Sequence, residues 1–270
     1  HRDLHSFPTR RSSDLVATYG LMLAPGLVLA ALHPVGGSSA FWGNVLLGGL
    51  LDAAGNLAMV AALRVTDLSI FGPLNAFRPI LALLFGWLFL KETPTVGGAL
   101  GVGITVAGML ILFGGTSRDG SKSSWGQAIR ALAFRLSGIA LSTIGAVFLK
   151  RAALAGSAEL TLAMWIACGL ACLWGISLAR GLQPAALAVT AIRRHGGWLW
   201  SHAALFFLMQ WLTILIFQRT LLAYSFAYFQ LGMALQVLLG AVLFKETAWG
   251  RRLAGCAVMG LGSSLVALKG

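Results

Sequence analysis

Leu84-Phe-Gly-Trp-Leu-Phe-Leu-Lys-Glu-Thr93 is matched later in the chain by Leu238-Leu-Gly-Ala-Val-Leu-Phe-Lys-Glu-Thr247, so an apolar run closed by Lys-Glu-Thr occurs twice. The two stretches lie 154 residues apart. The same offset aligns two pairs of glycines: Gly101 with Gly255, and Gly108 with Gly262. Agreement over two apolar spans and the polar break between them indicates an internal duplication.

The composition is typical of a polytopic membrane protein. Hydrophobic residues make up 58% of the 270 residues and charged residues only 10%, whereas soluble domains carry about 25% charged residues. Roughly 20 apolar residues form one helical crossing of a bilayer. Nine such runs are present: residues 16–32, 41–63, 68–90, 96–113, 131–149, 160–179, 197–217, 222–244 and 250–268. We predict an all-α fold with nine transmembrane helices and two longer loops, 114–130 and 180–196.

The charges and cysteines exclude several classes of protein. The formal net charge of +12 does not indicate a nucleic-acid partner, because the Lys and Arg residues sit between apolar runs, where they orient membrane proteins. Cys168 and Cys172 share a helix face without a His or carboxylate nearby in sequence, so we predict packing thiols and no metal site. No motif for nucleotide hydrolysis or catalysis is present, and we expect neither an enzyme nor a cofactor.

The duplication divides the chain. Residues 1–15 resemble a translated sequencing adapter and are interpreted as a non-native leader. We predict a first copy at 16–114, a linker at 115–130 and a second copy at 131–270. At the 154-residue offset the run 131–149 has no partner, so the first copy has four of its five helices and the intact protein ten. Because five is odd, the copies enter the membrane from opposite sides, as an inverted-topology repeat.

Two copies of five helices, each with a glutamate corner after the penultimate helix and a glycine-rich last helix, resemble the EamA-type carriers of the drug/metabolite transporter superfamily. The residues that carry the resemblance are Glu92 with Gly101 and Gly108, Glu246 with Gly255 and Gly262, and Lys150 at the end of the second copy's first helix. The resemblance implies a multi-pass protein of the bacterial inner (cytoplasmic) membrane that transports a small solute, efflux included, and that lacks its first transmembrane helix here.

Two ionisable residues lie near the middle of neighbouring apolar runs: Asp52 in 41–63 and Arg78 in 68–90. A charge at mid-bilayer costs at least about 2.5–3.5 kcal/mol on insertion scales, so each residue needs a partner or a function. A hairpin that turns near Thr66 places both at similar depth, and we predict that they pair. Such a pair either locks the hairpin or lines the path of a solute or proton.

Amide side chains are further candidates for solute binding. Asn56 aligns with Gln210 across the copies, and the penultimate helices add Asn75, Gln230 and Gln236. Inverted-repeat carriers place their cavity near the midplane where the copies meet, so these amides either line it or bridge helices. Glu92 and Glu246 each follow a Lys at a helix end, which favours a corner or cap over a role in proton transfer.

We expect a secondary-active transporter that moves a small metabolite or drug-like solute by alternating access. Two alternatives stay open. One is an intramembrane enzyme that acts on lipid-linked substrates through Asp52 or His202, and the other is a channel or structural membrane subunit. Proton coupling through Asp52 is a further hypothesis. The small-residue spacing of Gly97 and Gly101 favours close helix packing, with pairing between protomers in a homodimer as the alternative.

Overall fold

The structure, a computed structural model, describes residues 7–33, 36–63, 75, 77–113, 125–244 and 249–269. The helices in these ranges are α1 (Phe7–Leu32), α2 (Ser39–Leu63), α3 (Phe77–Phe85), α4 (Val96–Phe113), α5 (Trp125–Ala155), α6 (Ala158–Ala179), α7 (Pro184–Arg219), α8 (Leu222–Phe244) and α9 (Trp249–Lys269). A π-helical turn, Gly86–Leu90, continues α3. The predicted all-α class is confirmed.

Most of the predicted apolar runs are helices with nearly the predicted ends. α4 and α8 have the predicted bounds, and α2, α6 and α9 extend beyond theirs by one or two residues. α5 is longer than its run, since it begins at Trp125, inside the stretch predicted as a linker. Helical hydrogen bonding continues there because polar and basic residues such as Gln127 and Arg130 have good helix propensity.

The predicted loop 180–196 is wrong for most of its length, because α7 begins at Pro184. Proline suits the first turn of a helix, where its missing N–H has no intrahelical partner. The first part of α7 has one buried face, on which Ala191 packs beside Ala17 of α1. At His195 the backbone leaves the helical region, with φ −136° and ψ 30°, and the rest of α7 continues after this kink.

Several helices have the length and apolarity of membrane spans. Four segments among the described residues meet both conditions: Ser13–Leu32, Leu132–Ala155, Ala158–Ala179 and Pro184–Arg219. Shorter apolar helices cover Phe77–Leu90, Val96–Ile111 and Leu253–Lys269. Many large apolar side chains on these helices are exposed, among them Val96, Trp198 and Leu205. Exposed apolar surface of this extent is expected of a protein solvated by lipid.

The chain forms two compact units, and the first consists of His1–Ala53 and Phe148–Gln218. In it α1 and α6 pack antiparallel, because Gly26 lies against Ile166 while Tyr19 lies against Gly169. The core of this unit contains large side chains from α1, α2, α6 and α7: Met22, Phe41, Leu162, Trp165 and Ile214. The unit therefore combines helices from both predicted copies.

The second unit consists of Ala54–Val147 and Arg219–Gly270, and its main contact is between α4 and α9. A Cβ atom on Gly101 would lie 2.8 Å from the carbonyl oxygen of Gly262. A Cβ on Gly108 would lie 2.6 Å from the backbone nitrogen of Met259 and 2.9 Å from the carbonyl oxygen of Gly255. Glycine at these positions lets the two backbones touch, as small residues do at membrane helix interfaces.

The glycine contacts of this seam have an internal symmetry. Gly101 of α4 meets Gly262 of α9, and Gly108 of α4 meets Gly255 of α9, so the helices are antiparallel. The 154-residue offset pairs Gly101 with Gly255 and Gly108 with Gly262. If each glycine is replaced by its equivalent in the other copy, the contact between Gly101 and Gly262 becomes the contact between Gly255 and Gly108. A contact across a twofold axis has this property.

Gly97 and Gly101, whose spacing favours close helix packing over pairing between protomers, lie against α9 of the same chain. A Cβ on Gly97 would lie 2.6 Å from Cβ of Lys269. Thr95 connects the same helix ends, because its hydroxyl donates to the carbonyl oxygen of Lys269 and accepts from the backbone N–H of Gly98. This spacing is therefore used for packing within the chain.

The Lys-Glu-Thr corner after α3 contacts α8. Lys91 adopts a left-handed conformation with φ 58°, which ends the π-helical turn. The next residue, Glu92, accepts a hydrogen bond at 2.8 Å from the backbone N–H of Leu222, the first residue of α8. A carboxylate at a helix N-terminus satisfies a free N–H and complements the helix dipole. Gly86 leaves room for this, since a Cβ there would lie 2.8 Å from Oε2 of Glu92.

Candidate functional site

Two arginines of the second unit lie on facing helices, Arg78 on α3 and Arg135 on α5. Arg135 donates a hydrogen bond from Nη2 to Oδ1 of Asn75, and Arg78 donates one from Nη2 to Oγ of Ser142 at 2.8 Å. Asn75 lies three residues before Arg78, and Ser142 lies seven after Arg135, so each pair occupies one helix face. Because each arginine donates to a residue on the helix face of the other arginine, the two faces lie towards each other.

α8 contributes an aromatic ring and an amide. The guanidinium carbon of Arg78 lies 4.9 Å from the ring centroid of Phe226, within the range of a cation–π interaction. Gln230 lies one turn further on the same face of α8 and is 4% exposed. Its side-chain carbonyl oxygen is buried and accepts no hydrogen bond within the described part of the chain. This face of α8 thus carries a cation–π partner and an acceptor.

We call Arg78, Arg135, Asn75, Ser142 and Phe226 together the arginine site. Arg135 is 3% exposed, although it lies inside an apolar membrane-length segment, and Arg78 is half-buried. Each guanidinium group donates to a side chain from the other arginine's part of the chain. Arginine remains protonated in proteins, so both charges persist at physiological pH. Ionisable residues within membrane spans are rare and mark pathways for ions or solutes.

Asp52 has a separate environment in the first unit. Its Oδ2 accepts a hydrogen bond at 3.2 Å from Nε1 of Trp165. Trp165 packs against Tyr19 and Phe206, with ring centroids 5.4 and 6.2 Å away. Phe206 in turn stacks on His202 at 6.0 Å. The two residues suggested for an intramembrane enzyme, Asp52 and His202, are thus connected through the rings of Trp165 and Phe206.

The predicted solute-binding residues are distributed over both units. Asn75, Arg78 and Gln230 belong to the second unit, where Asn75 and Arg78 take part in the arginine site. Asn56 is exposed on α2, and Gln210 is half-buried on α7 of the first unit. The side chain of Gln236 and all of Glu246 lie outside the described residues. The ion pair between Asp52 and Arg78 stays a prediction, because these residues belong to different units.

Sequence reasoning missed Arg135, Ser142, Trp165 and Phe226. Arg135 carried a detectable signal, because it lies four residues inside the run 131–149, where a charge is costly. The others carried none, since serine and aromatic residues are ordinary in membrane helices. Only the packing of α5 and α8 against α3 shows that these residues surround Arg78.

Comparison with known proteins identifies part of the chain. Residues 6–114 match the sequence profile of the EamA-like transporter family. Over these residues the chain is similar to an EamA-like transporter domain. They contain α1 to α4, including the Glu92 corner and the glycines of α4. No curated protein sequence matches the chain.

Solved structures resemble the fold of nearly the whole chain. Twenty-eight chains of solved structures match it. One of them, a crystal structure of a protein, has a TM-score of 0.68 and 17% sequence identity and covers 97% of this chain and 92% of its own. At this identity the likeness shows the fold alone. The family match over residues 6–114 and the long apolar helices together support a multi-pass membrane protein.

Proposed function

We propose that the chain is a secondary-active carrier that moves a small metabolite or drug-like solute by alternating access. The observation that carries the proposal is the exchange symmetry of the contacts between α4 and α9. Two copies related by a twofold axis perpendicular to antiparallel spans form an inverted repeat, since the axis then lies in the membrane plane. Such a pair can adopt two symmetry-related conformations, one open to each side, by exchanging the conformations of its halves.

Buried charges inside the helices support a carrier over a purely structural subunit. Asp52 and the arginine site place three ionisable side chains within apolar helices, where a structural protein gains little from them. Catalysis on lipid-linked substrates is less well supported, because the rings of Trp165 and Phe206 lie between Asp52 and His202 and keep the two residues from acting on one group.

Counterflow in proteoliposomes tests the proposal. The purified 270-residue chain is reconstituted, the vesicles are loaded with an unlabelled solute at high concentration, and uptake of the same labelled solute is measured for a panel of small metabolites. A carrier gives saturable uptake that an internal solute accelerates, because the loaded protein reorients in both directions. Uptake that neither saturates nor responds to internal solute would indicate a channel and contradict alternating access. Liposomes without protein provide the baseline.

Proton coupling through Asp52 is part of the same proposal, as is export across a bacterial inner membrane. The half-buried carboxylate, which accepts a hydrogen bond from the indole of Trp165, supports this part of the proposal because an ionisable group inside an apolar helix is typical of proton pathways. Asp52→Asn should abolish uptake driven by a pH gradient while counterflow persists, because exchange needs no coupling. Glu159→Gln, at the start of α6, is the matched control. Full pH-driven uptake in Asp52→Asn would exclude Asp52 from coupling.

Homodimerisation remains a prediction of the sequence. Gly97 and Gly101 are occupied by contacts within the chain, so a dimer would need another surface.

A further inference from the structure

We propose that the first part of α7, residues 184–194, is an interfacial helix that lies at the membrane surface and binds anionic phospholipid headgroups through Arg193 and Arg194. This inference goes beyond the proposed carrier function and does not depend on it. It comes from the length of α7, the kink at His195 and the exposed arginine and tryptophan side chains on either side of that kink.

α7 is too long to lie within a bilayer as one span. Its 36 residues correspond to about 54 Å of helix, whereas the hydrocarbon core is about 30 Å thick. Even a tilt of about 40° would place only about 39 Å of helix inside the core. The apolar run 197–217 alone spans about 31 Å and fills it. Residues 184–194, about 16 Å of helix, therefore lie outside the hydrocarbon, and the non-helical backbone at His195 lets them leave the direction of the span.

Packing holds residues 184–194 close to the membrane. Ala191 is buried beside Ala17, near the start of the membrane-length segment of α1, and Leu199 packs in the same cluster from the other side of the kink. Both parts of α7 therefore contact one end of α1. The first part is thus held along the end of the spans and does not project into water.

The exposed face of this first part is apolar and then basic. Ala185, Val189 and Arg193 follow one another at intervals of four residues, which places them on one helix face, and all three are exposed. Arg194 is exposed beside Arg193. A helix of this kind suits the boundary between headgroups and acyl chains, because its apolar side chains enter the boundary while the guanidinium groups reach the phosphates.

Two exposed tryptophans indicate the depth of that boundary. Trp198 is 66% exposed and Trp200 is 58% exposed, and both lie at the beginning of the apolar run 197–217. Tryptophan is enriched at the level of the headgroups, where its ring is half in an apolar medium and its N–H meets water. Arg193 and Arg194 precede these rings by one to two helical turns, on the polar side. This order of arginine, tryptophan and apolar run is the order expected across a membrane surface.

The charges at this end of the first unit favour an anionic headgroup. Arg180, which follows α6, is a third exposed arginine there. Asp14 opposes them, because it lines a cavity of about 320 Å³ together with Arg194 and His195. Three guanidinium groups against one carboxylate leave a positive net charge among the described residues of this region. Each basic residue near a membrane surface strengthens binding to anionic lipid by roughly fivefold.

Thermal unfolding of the full chain in a neutral detergent, followed by tryptophan fluorescence, measures headgroup binding. The probes are dioleoyl phosphatidylglycerol and its zwitterionic counterpart dioleoyl phosphatidylcholine, added to the micelles at constant ionic strength. We expect phosphatidylglycerol to raise the Tm more than phosphatidylcholine does, and added sodium chloride to weaken the difference. The double variant Arg193→Gln/Arg194→Gln should need roughly 25-fold more phosphatidylglycerol for the same shift, because each arginine contributes about fivefold.

Arg193→Lys/Arg194→Lys is the matched control, because it retains both charges and should retain most of the response. Asp14→Asn should act in the opposite direction and lower the phosphatidylglycerol requirement, since it removes the opposing carboxylate. Equal responses to the two lipids, or an unchanged response in Arg193→Gln/Arg194→Gln, would overturn the proposal.

Chemical modification tests the site in the unmodified sequence. Phenylglyoxal reacts with accessible arginines, and mass spectrometry locates the adducts on chain reconstituted in bilayer discs of either lipid. Phosphatidylglycerol should slow the reaction at Arg193 and Arg194 severalfold, with a smaller effect at Arg219, which is exposed beyond the opposite end of the run 197–217. Equal slowing at all three positions would reduce the effect to nonspecific attraction and refute a site on α7.

Membrane depth distinguishes an interfacial helix from a basic segment in water. A spin label at Val189→Cys, in a chain whose three cysteines are replaced by serine, reports its accessibility to oxygen and to a water-soluble nickel chelate. Leu208→Cys, which is exposed in the middle of the run 197–217, provides the reference for the hydrocarbon. We expect the label at position 189 to lie about 5–10 Å deep, at the boundary between headgroups and acyl chains. A label as deep as that at position 208, or one as accessible to the chelate as a label in water, would contradict the interfacial position.

Discussion

Alanine at Gly108 should separate α4 from α9, and the structure allows the cost to be worked out. The added Cβ would lie 2.6 Å from the backbone nitrogen of Met259 and 2.7 Å from its Cγ. Carbon contacts are comfortable at about 3.5–4.0 Å, so the helices must move apart by about 1 Å. The backbone nitrogen cannot rotate away as a side chain can. Overpacking of this kind typically costs about 1–3 kcal/mol.

Gly103→Ala is the control, because it lies on the same helix and a Cβ there meets nothing within 4 Å. Alanine improves helix propensity by up to about 1 kcal/mol over glycine, and this gain is common to both variants. The difference in stability between Gly108→Ala and Gly103→Ala therefore isolates the cost of overpacking. At about 2–4 °C per kcal/mol, the Tm of Gly108→Ala should lie several degrees below that of Gly103→Ala.

The symmetry of the seam extends this prediction to Gly262, the equivalent of Gly108. A Cβ there would lie 2.5 Å from the backbone nitrogen of Thr105, so Gly262→Ala should cost about as much as Gly108→Ala. Both substitutions push the same two helices apart, so the loss in the double variant should be smaller than the sum of the single losses. Thermal unfolding in detergent measures all four proteins. Equal stability of Gly108→Ala and Gly103→Ala would refute the packing argument.

Three more substitutions test local contacts by the same measurement. Glu92→Ala should lower stability by about 0.5–2 kcal/mol through loss of the cap on α8, and Glu92→Gln by less because it retains an acceptor; an unchanged Tm in Glu92→Ala would argue against the cap. Gly181→Ala should cost about 1–2 kcal/mol because its φ is +69°, whereas Gly196→Ala, within α7 and with open space for a Cβ, should cost nothing and gain up to about 1 kcal/mol of helix propensity; equal effects would contradict a backbone origin. Trp165→Phe keeps a ring but removes the donor to Asp52, at a cost of about 1.5–3 kcal/mol; full stability would show that this hydrogen bond contributes little.

The helices most accurately predicted from the sequence are those whose apolar runs end at abrupt polar breaks. α4 begins just after Pro94-Thr95, and α8 ends just before Lys245, so hydropathy alone locates these ends. The start of α7 was predicted wrongly for the opposite reason. Residues 184–192 form an apolar run that is too short to cross a bilayer and that ends at Arg193-Arg194, so hydropathy alone did not mark it as a span. The small apolar residues at Ala188, Ala191 and Ile192 had the spacing of a helix face, and that periodicity was the better guide.

The arginine site was only half predictable. The depth argument that singled out Arg78 compares residues across one hairpin, so it can propose partners from neighbouring helices only. Ser142 and Arg135 come from α5, which is distant in sequence, and they reach Arg78 and Asn75 through tertiary packing. Sequence can state that a charge inside an apolar run needs partners. It cannot state which helix supplies them.

The duplication predicted which glycines are equivalent, and the structure shows that equivalent glycines do not touch. When a twofold axis relates two antiparallel helices, equivalent residues meet only where the axis crosses the helices. On either side of that point a residue meets a non-equivalent residue of the other helix, and the same contact recurs between their equivalents on the opposite side. Gly101 meets Gly262 and Gly108 meets Gly255, so the axis must pass midway between these contacts. Thr105 and Met259 lie there, are equivalent at the 154-residue offset, and are both fully buried. A duplication without inversion would make α4 and α9 parallel and would pair Gly101 with Gly255, so the observed partners themselves argue for inversion.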